Sequence, residues 1–407
     1  MIGVALQLIR IFRAAKKPLR CASLALATAG LLSLHACAQS PTFYAIGAAG
    51  AMPEVVPPNA EAPPQHILYA VDSATLRVLG SVEVDGAQSG MLTANRNAVV
   101  LGGFDSPAWR VSAPDLKVVS SFTPGPSPGV SCLDHTFVHP VTGLAYFSCD
   151  IGSGKEGVAV MDTAKKSVVL NLYAKGLGSL FSSSHFLFDR KTGWLFLDGI
   201  DLVALDAQNK IVDQVSGREL GQKATPTIGD ISGLRAAAIL PNGRLVLRGN
   251  DDGGRSVLLL YDPMKRSVSR TWVETEKYTA TEKHPTPGTA ATWQSSLPLS
   301  HGPVASRDGS RLFAISDAPS RYHDNVPIRG VLLDAETLTV LRRWDLPEPP
   351  CSIRGQTEEQ CFFQAPDGRG MWYVSQSGKV YRLDDHTGEL LEEVKLPFHL
   401  ISLIREP

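Results

Sequence analysis

The sequence lacks the motifs that identify the common enzyme classes. It contains no G-x-S-x-G, H-E-x-x-H, Walker or Rossmann pattern, so it gives no support for a serine hydrolase, a zinc protease, a P-loop enzyme or a dinucleotide-dependent enzyme. Its six cysteines form no C-x-x-C pair, so a zinc site or a thiol redox pair has little support. Binding and scaffolding functions are therefore favoured over a recognisable chemistry.

The chain also lacks a net charge of any size. It has 39 Lys and Arg residues against 40 Asp and Glu residues. Five of the basic residues and none of the acidic ones lie in residues 1–36, so the remainder carries a net charge of −6. A mildly acidic chain without a basic stripe argues against nucleic acid as a partner.

No apolar run is long enough to span a membrane comfortably. The apolar run at residues 21–34 has 14 residues, whereas a transmembrane helix needs about 20. Basic residues precede this run and small residues follow it, which is the pattern of a secretory signal. We therefore predict export and a signal peptide at residues 1–36.

The end of this signal resembles a bacterial lipobox. The motif is Leu34-His35-Ala36-Cys37, and in lipoproteins the cysteine becomes the lipidated first residue of the mature chain. Ala38 is not the inner-membrane retention aspartate, so the resemblance implies lipidation of Cys37 and the periplasmic side of the outer membrane. Cleavage after Ala38, which would release a soluble periplasmic or secreted protein, is the alternative.

One phrase recurs seven times: a short apolar strand, an aspartate, a polar turn and another apolar strand. One copy has Ser112 in place of the aspartate, and successive copies are 40, 50, 44, 56, 72 and 50 residues apart. Seven such units predict an all-β fold, a seven-bladed β-propeller of four-stranded antiparallel blades. The aspartates, which we expect to hold the turn between the third and fourth strands, are Asp72, Asp162, Asp206, Asp262, Asp334 and Asp384.

The number of strands predicts how the ring closes. Blade 1 has no candidate for its first strand before Phe43, but the chain continues past blade 7 with the apolar stretch 398–404. We expect this stretch to form the innermost strand of blade 1, which would remove an exposed sheet edge. The predicted organisation after the signal peptide is a tether at 37–41 and the propeller at 42–407.

The units resemble the YVTN-type repeats of bacterial envelope propellers and those of the heavy chain of quinoprotein amine dehydrogenases. The resemblance is carried by Tyr146-Phe147-Ser148, Leu312-Phe313-Ala314-Ile315 and Trp372-Tyr373-Val374, each followed by an apolar-Asp turn. It extends over about residues 42–404 at the level of the repeat. In the amine dehydrogenases the propeller is a scaffold and the quinone lies on a separate small subunit.

The predicted long connections share one face of the ring, which we call the long-loop face. The turns between the first and second strands and between the third and fourth strands are short, and they share the opposite, short-turn face. Long loops on a rigid scaffold usually carry binding residues, so we expect a protein partner or a small ligand on the long-loop face. The connections are 123–134, 217–233, 274–300, 317–328 and 347–360.

Four cysteines lie beside these connections. An even number of cysteines in an exported chain favours disulfides. Cys132 and Cys149 are predicted to reach the long-loop face from neighbouring strands of blade 3, and Cys351 and Cys361 are predicted to close one of its loops. We therefore predict the pairs Cys132–Cys149 and Cys351–Cys361.

Six residues are predicted to ring the mouth of the channel on the long-loop face. Five lie eight residues before the glycine of the first turn of their blade, and the sixth takes that place in blade 2. Three histidines among them could bind a divalent metal, but we favour histidines bonded to neighbouring backbone, because only Asp134 offers an adjacent carboxylate. The six residues are Ser89, His135, His185, Arg235, His301 and Gln360.

These observations lead to three functional hypotheses. The first, which we favour, is a non-catalytic, monomeric scaffold in the bacterial cell envelope that needs no cofactor. The second is a metal-dependent enzyme of lactonase or lyase type that uses the histidines at the channel mouth. The third is the scaffold subunit of a quinoprotein amine dehydrogenase.

Overall fold

Seven four-stranded antiparallel sheets form a propeller ring, as the sevenfold repeat predicts. All of them lie in the unit Thr42–Pro407. No helix among the described residues is long and apolar enough to cross a membrane. The computed structural model describes residues 42–48, 65–103, 107–113, 115–124, 131–150, 156–172, 186–199, 201–282, 292–296, 298–316, 323–324, 328–351 and 361–406.

Blades 1 to 4 are formed by the strands between Thr42 and Ser216 together with the last strand of the chain. In each blade the strands are ordered from the channel outward and paired antiparallel. Blade 1 consists of β31 (His399–Leu403), β1 (Thr42–Ala48), β2 (His66–Asp72) and β3 (Val78–Glu83). Blade 2 consists of β4 (Ser89–Leu92), β5 (Ala98–Gly102), β6 (Ala108–Ser112) and β7 (Val118–Phe122). Blade 3 consists of β8 (Ser131–Val138), β9 (Ala145–Asp150), β10 (Glu156–Asp162) and β11 (Ser167–Asn171). Blade 4 consists of β12 (Phe186–Asp189), β13 (Trp194–Leu197), β14 (Asp201–Leu205) and β15 (Ile211–Ser216).

The remaining three blades follow the same order. Blade 5 consists of β16 (Ser232–Ile239), β17 (Leu245–Asn250), β18 (Ser256–Asp262) and β19 (Ser267–Val273). Blade 6 consists of β22 (Leu299–Ala305), β23 (Arg311–Ser316), β25 (Arg329–Asp334) and β26 (Val340–Asp345). Blade 7 consists of β27 (Phe362–Gln364), β28 (Met371–Val374), β29 (Val380–Leu383) and β30 (Leu390–Val394).

Two elements occur where the sequence predicted only loops. A helix, α1 (Gly217–Lys223), lies in the connection from blade 4 to blade 5. A small sheet in the order β21-β20-β24 joins the connection from blade 5 to blade 6 with a loop inside blade 6. Its strands are β20 (Lys277–Glu282), β21 (Thr292–Ser296) and β24 (His323–Asp324).

The last strand of the chain closes the ring. β31 pairs antiparallel with β1, from Ala48 opposite His399 to Ala45 opposite Leu403. Beyond this strand, the N–H of Leu92 in blade 2 donates to the carbonyl oxygen of Arg405 at 2.9 Å. The C-terminal segment is therefore the innermost strand of blade 1 and also bonds to blade 2, so the predicted closure is confirmed.

The same turn connects the third and fourth strands of the blades. All six predicted aspartates accept backbone N–H groups within this turn; the Oδ1 of Asp384, for example, accepts from His386 at 2.9 Å and from Thr387 at 2.7 Å. Near the end of the turn, one residue of every blade has positive φ, and that residue is Gly388 in blade 7. The strands that flank the turn show a register shift in all seven blades.

The apolar core lies between neighbouring blades. Each cluster of buried side chains draws on blades that are adjacent in the ring. Between blades 7 and 1, for example, Phe43 meets the fully buried Trp372 edge-on, with 5.8 Å between ring centroids. Tyr69 stacks on Phe398, just before β31, at 4.1 Å. Since each blade is covered by its neighbours, the ring is stable only when it is closed.

Removing the closing strand should therefore destabilise the whole ring. We expect deletion of residues 398–407 to lower the free energy of unfolding by about 5 kcal/mol or more, which is comparable to the whole stability of many domains. Deletion of residues 406–407 alone leaves β31 intact and is the control. Thermal and urea unfolding measure both variants. A melting temperature within about 3 °C of the full-length value for the longer deletion would show that β31 does not close the ring.

Candidate functional site

The connection from blade 4 to blade 5 is a rigid part of the long-loop face. Ser216 caps α1, because its Oγ accepts the N–H of Glu219 at 3.1 Å. Gly217 and Gly221 lie against the backbone of residues 229–231, so closely that an added Cβ would come within 1.9 Å and 1.7 Å, respectively, of a carbonyl oxygen. Only glycine fits at such distances, and the helix is therefore held flat against the segment that follows it.

A buried ion network fixes the start of the connection from blade 5 to blade 6. The carboxylate of Glu274 is fully buried, and one nitrogen of Arg343 contacts its two oxygens at 3.0 and 3.1 Å. Arg343 also contacts Glu276 at 3.1 Å, and Glu276 pairs with Arg329. Burial raises the pKa of Glu274, although the cation of Arg343 opposes this shift. The network joins blade 5 to blade 6 directly before β20.

Glu348 anchors the connection from blade 6 to blade 7. The hydroxyl of Tyr381 donates to its Oε1 at 2.9 Å, and Ser377 and Lys379 donate to the same carboxylate. Burial alone would raise the pKa of Glu348, but the hydrogen bonds from these side chains lower it to about 2. The start of the connection is thus attached to the turn between the second and third strands of blade 7.

Both predicted disulfides are present. Cys132 faces Cys149 across β8 and β9 in blade 3, and Cys351 is bonded to Cys361 ten residues later. Each bridge restrains a connection on the long-loop face, and a bridge of this kind stabilises a fold by about 2–4 kcal/mol. Two disulfides are typical of an exported, non-cytoplasmic protein.

The structure describes the side chains of three of the six predicted channel-mouth residues. Ser89 begins β4 and is 3% exposed, and its Oγ has no hydrogen-bond partner in the described part of the chain. Arg235 lies in β16 and His301 in β22, both partly buried. His135 lies in β8 but its side chain is outside the described part, as are the whole of His185 and Gln360.

Arg235 and His301 belong to one neighbourhood, which also includes Arg248 and Asp198. We call these four residues the inner cluster. Arg235 is opposite Arg248 in the pairing of β16 with β17. Arg248 donates to the carbonyl oxygens on either side of His301, both at 3.2 Å. The buried Asp198 accepts the N–H of Ala236, the residue after Arg235, at 2.7 Å. Ser89 lies three blades away, in blade 2.

Sequence reasoning missed Arg248 and Asp198, although signals for both were present. Asp198 directly follows the second strand of blade 4, and Asp150 is the last residue of the second strand of blade 3. An aspartate therefore recurs at the long-loop end of the second strand in two neighbouring blades. Arg248 is a charged residue in an otherwise apolar strand, β17, in which Leu245 and Leu247 are fully buried. A charged residue in such a strand needs a partner, and its partners are the carbonyl oxygens of the next blade.

The innermost strands are irregular at the predicted mouth positions. The register shifts between Cys132 and Thr136 in β8, between Ser232 and Arg235 in β16, and on both sides of His301 in β22. The innermost strands of blades 2, 4 and 7 pair without a shift. β-bulges redirect side chains and are frequent beside functional sites, so blades 3, 5 and 6 depart from the repeat where a channel ligand would lie.

The inner cluster suits an anionic group better than a metal ion. Arg248 lies against the backbone on either side of His301, and Arg235 is opposite Arg248 in the sheet. Guanidinium groups repel a metal cation, whereas they match a carboxylate or a phosphate. In the residues that the structure describes, no three His, Cys, Asp or Glu side chains form a group that could hold a metal ion. The described part of the site thus gives the metal hypothesis no additional ligands.

Comparison with known proteins supports the fold alone. No protein-family model and no curated protein matches the chain. A putative 6-phosphogluconolactonase from Bacteroides uniformis aligns over 89% of this chain and 98% of its own, with 11% identity and a TM-score of 0.53. A second, from Bacteroides fragilis, aligns over 90% of this chain and 98% of its own, with 12% identity and a TM-score of 0.51.

A third solved structure is longer than this protein. The dihydro-heme d1 dehydrogenase NirN aligns over 87% of this chain, which spans 63% of NirN, with 12% identity and a TM-score of 0.50. At these identities the likeness shows a shared β-propeller architecture, and the three structures do not share one described activity.

The Glu348 anchor should make stability depend on pH. Its pKa in the folded protein, about 2, lies below its ordinary value of 4.5, so its contribution is present above about pH 4.5 and is lost as the pH falls toward 2. We expect Glu348→Gln to lower the free energy of unfolding at pH 7 by about 1–3 kcal/mol. The difference from the wild type should shrink at pH 2.5.

Urea unfolding at pH 7 and pH 2.5 measures this difference. Glu83→Gln, on the exposed edge of β3, is the control and should leave stability nearly unchanged at both pH values. An equal loss for Glu348→Gln at the two pH values would mean that the carboxylate charge does not hold the connection.

Proposed function

We propose that this protein is an exported, non-catalytic β-propeller that binds a protein or a small ligand on its long-loop face. The observation that carries the proposal is the contrast between the two faces. The short-turn face repeats one turn in every blade, whereas the long-loop face carries α1, the small sheet, both disulfides and the inner cluster. Anchored, individually shaped connections on a rigid scaffold are typical of binding surfaces.

We further propose that the protein is a lipoprotein of the bacterial envelope related to the YVTN-type and amine dehydrogenase propellers. The lipobox-like motif ending in Cys37 and the repeat phrase support this assignment, and the disulfides agree with an oxidising compartment. Residues 37–41 serve as the tether, and the outer membrane is the proposed site of attachment.

The chemistry of a small ligand follows from the inner cluster. Arg235 and Arg248 bring positive charge to the neighbourhood of His301 and of the buried Asp198. A ligand that enters the channel from the long-loop face therefore carries an anionic group at the end that reaches these residues. A protein partner would contact the connections that surround the channel mouth.

Site-specific photo-crosslinking in living cells tests which face binds. A photoreactive residue in place of Gln376, exposed on the long-loop face, should give a discrete adduct with a protein partner. If the partner is a small ligand, the crosslink should attach it covalently, so that it can no longer be extracted from the protein. The same residue in place of Ala164, exposed on a short turn, is the matched control and should give no protein adduct. Adducts from position 164 and none from position 376 would show that the partner binds the short-turn face, which would contradict the proposal.

The enzyme hypothesis predicts a different result from the same protein. We expect purified protein to contain less than about 0.1 equivalent of any divalent metal, and we expect His301→Ala to leave that content unchanged, since the cation of Arg248 lies against the backbone on either side of His301. Elemental analysis of both proteins makes the measurement. A stoichiometric metal that His301→Ala removes would favour the lactonase- or lyase-like enzyme and would overturn the non-catalytic proposal.

Intact-mass analysis tests the lipid anchor. The membrane-extracted protein should begin at Cys37 and carry a diacylglyceryl or triacyl addition. Cys37→Ser should abolish the addition and leave a chain that begins at Gln39, because Ala36 and Ala38 remain as the small residues of a signal-peptide cleavage site. An unmodified wild-type chain beginning at Gln39 would show that the protein is soluble.

A further inference from the structure

The chain enters the propeller on the short-turn face. Thr42, the first residue of β1, pairs with Asp72, and Asp72 begins the turn between the third and fourth strands of blade 1. β31 ends at Leu403 on the same face. Cys37 precedes Thr42 by five residues, so the proposed tether joins the propeller at this face.

The turns of blades 3, 4 and 5 expose positive charge on this face. The aspartates of these turns, Asp162, Asp189, Asp206 and Asp262, are at most partly exposed and accept N–H groups from their own turns. Asp162 also pairs with Lys165, Asp262 with Lys265, and Arg266 with Asp213 and Glu219. Within the described chain, Lys166, Lys191 and Lys210 have no ion-pair partner. Although the propeller as a whole is acidic, this sector presents cations to solvent. The exposed basic side chains are Lys165, Lys166, Arg190, Lys191, Lys210, Lys265 and Arg266.

Apolar side chains are exposed in the same sector. Val141, on the first turn of blade 3, is 75% exposed, and Met264, on the last turn of blade 5, is 67% exposed. They have the largest exposed fractions among the exposed large apolar residues of the described chain. Nine further exposed large apolar residues lie near the start of outermost strands, directly after the short turns, and they are spread over six blades of the ring: Leu79, Val118, Val119, Val168, Val169, Val212, Leu341, Leu390 and Leu391.

We propose that the short-turn face lies against a membrane surface that contains anionic phospholipids. The cations of blades 3–5 contact lipid phosphates, and Val141 and Met264 enter the interface between headgroups and acyl chains. Basic residues near an anionic leaflet each contribute attraction, and exposed apolar residues among them add to it. The inference uses the proposed anchor at Cys37 only for the tether, whereas the charge and the apolar residues belong to the propeller itself.

Contact of the short turns with the membrane also fixes the orientation of the proposed binding face. With the short turns on the lipid, the long-loop face points away from the membrane. Lipid contact and partner binding then use opposite ends of the same ring.

Vesicle co-sedimentation of the Cys37→Ser protein tests the surface without an anchor. We expect binding to vesicles of phosphatidylglycerol and phosphatidylethanolamine, weak binding to phosphatidylcholine vesicles, and release at about 0.5 M NaCl. The double variant Lys166→Glu/Lys191→Glu should bind at least about tenfold more weakly, since the loss of each basic residue weakens binding about fivefold and each new glutamate adds repulsion. Lys277→Glu/Lys395→Glu changes the net charge equally on the long-loop face and should bind as the parent does.

Three results of this experiment would overturn the proposal. They are equal binding to both kinds of vesicle, an equal loss in the two double variants, and sedimentation without vesicles, which would assign the face to contacts between copies of this chain. Because the anchor is absent, these outcomes are independent of whether Cys37 is lipidated and of what the long-loop face binds.

A second measurement uses the anchored protein. An environment-sensitive dye on Met264→Cys should shift to shorter emission wavelengths when the protein is incorporated into phosphatidylglycerol vesicles. The same dye on Gln376→Cys, on the long-loop face, should not shift. A dye at position 264 that does not respond, or one at position 376 that responds more, would show that the short turns do not face the lipid.

Discussion

The backbone pairing of β31 with β1 is the constraint on which the propeller depends. Each blade buries its side chains against the two neighbouring blades, so an open ring would leave two apolar faces and two sheet edges in water. The pairing joins residues that are more than 350 positions apart in the chain. It therefore carries a large loop-closure entropy, which the contacts around Phe43, Trp372 and Phe398 offset.

The two faces of the ring meet different physical requirements. On the short-turn face, an aspartate, a residue with positive φ and a register shift recur with little change. In six of the seven blades the residue with positive φ in this turn is larger than glycine, Lys166 and Leu338 among them, at a cost of about 1–2 kcal/mol each. The hydrogen bonds of the aspartate offset this cost locally. Since the turn of each blade is stabilised by hydrogen bonds within that blade, the connections on the other face can vary in length and shape.

The fold could be predicted from the sequence because its signals are local and repeated. The turn phrase gives the number of blades, and the missing first strand of blade 1 points to residues 398–404. The helix α1 was missed, although Ser216 and Glu219 form a recognisable capping signal. The small sheet was missed because β20 pairs with β24, some 40 residues along the chain, and no local pattern specifies such a contact.

The channel-mouth residues could be predicted only in part because a fixed count assumes a regular strand. Counting eight residues back from a glycine locates Arg235 and His301 in the correct strands, but the shifts in β8, β16 and β22 change which way neighbouring side chains point. The partners in the inner cluster, Arg248 and Asp198, come from second strands that the count does not include. A repeat therefore predicts where a propeller has its binding face, whereas the departures from the repeat determine which groups meet there.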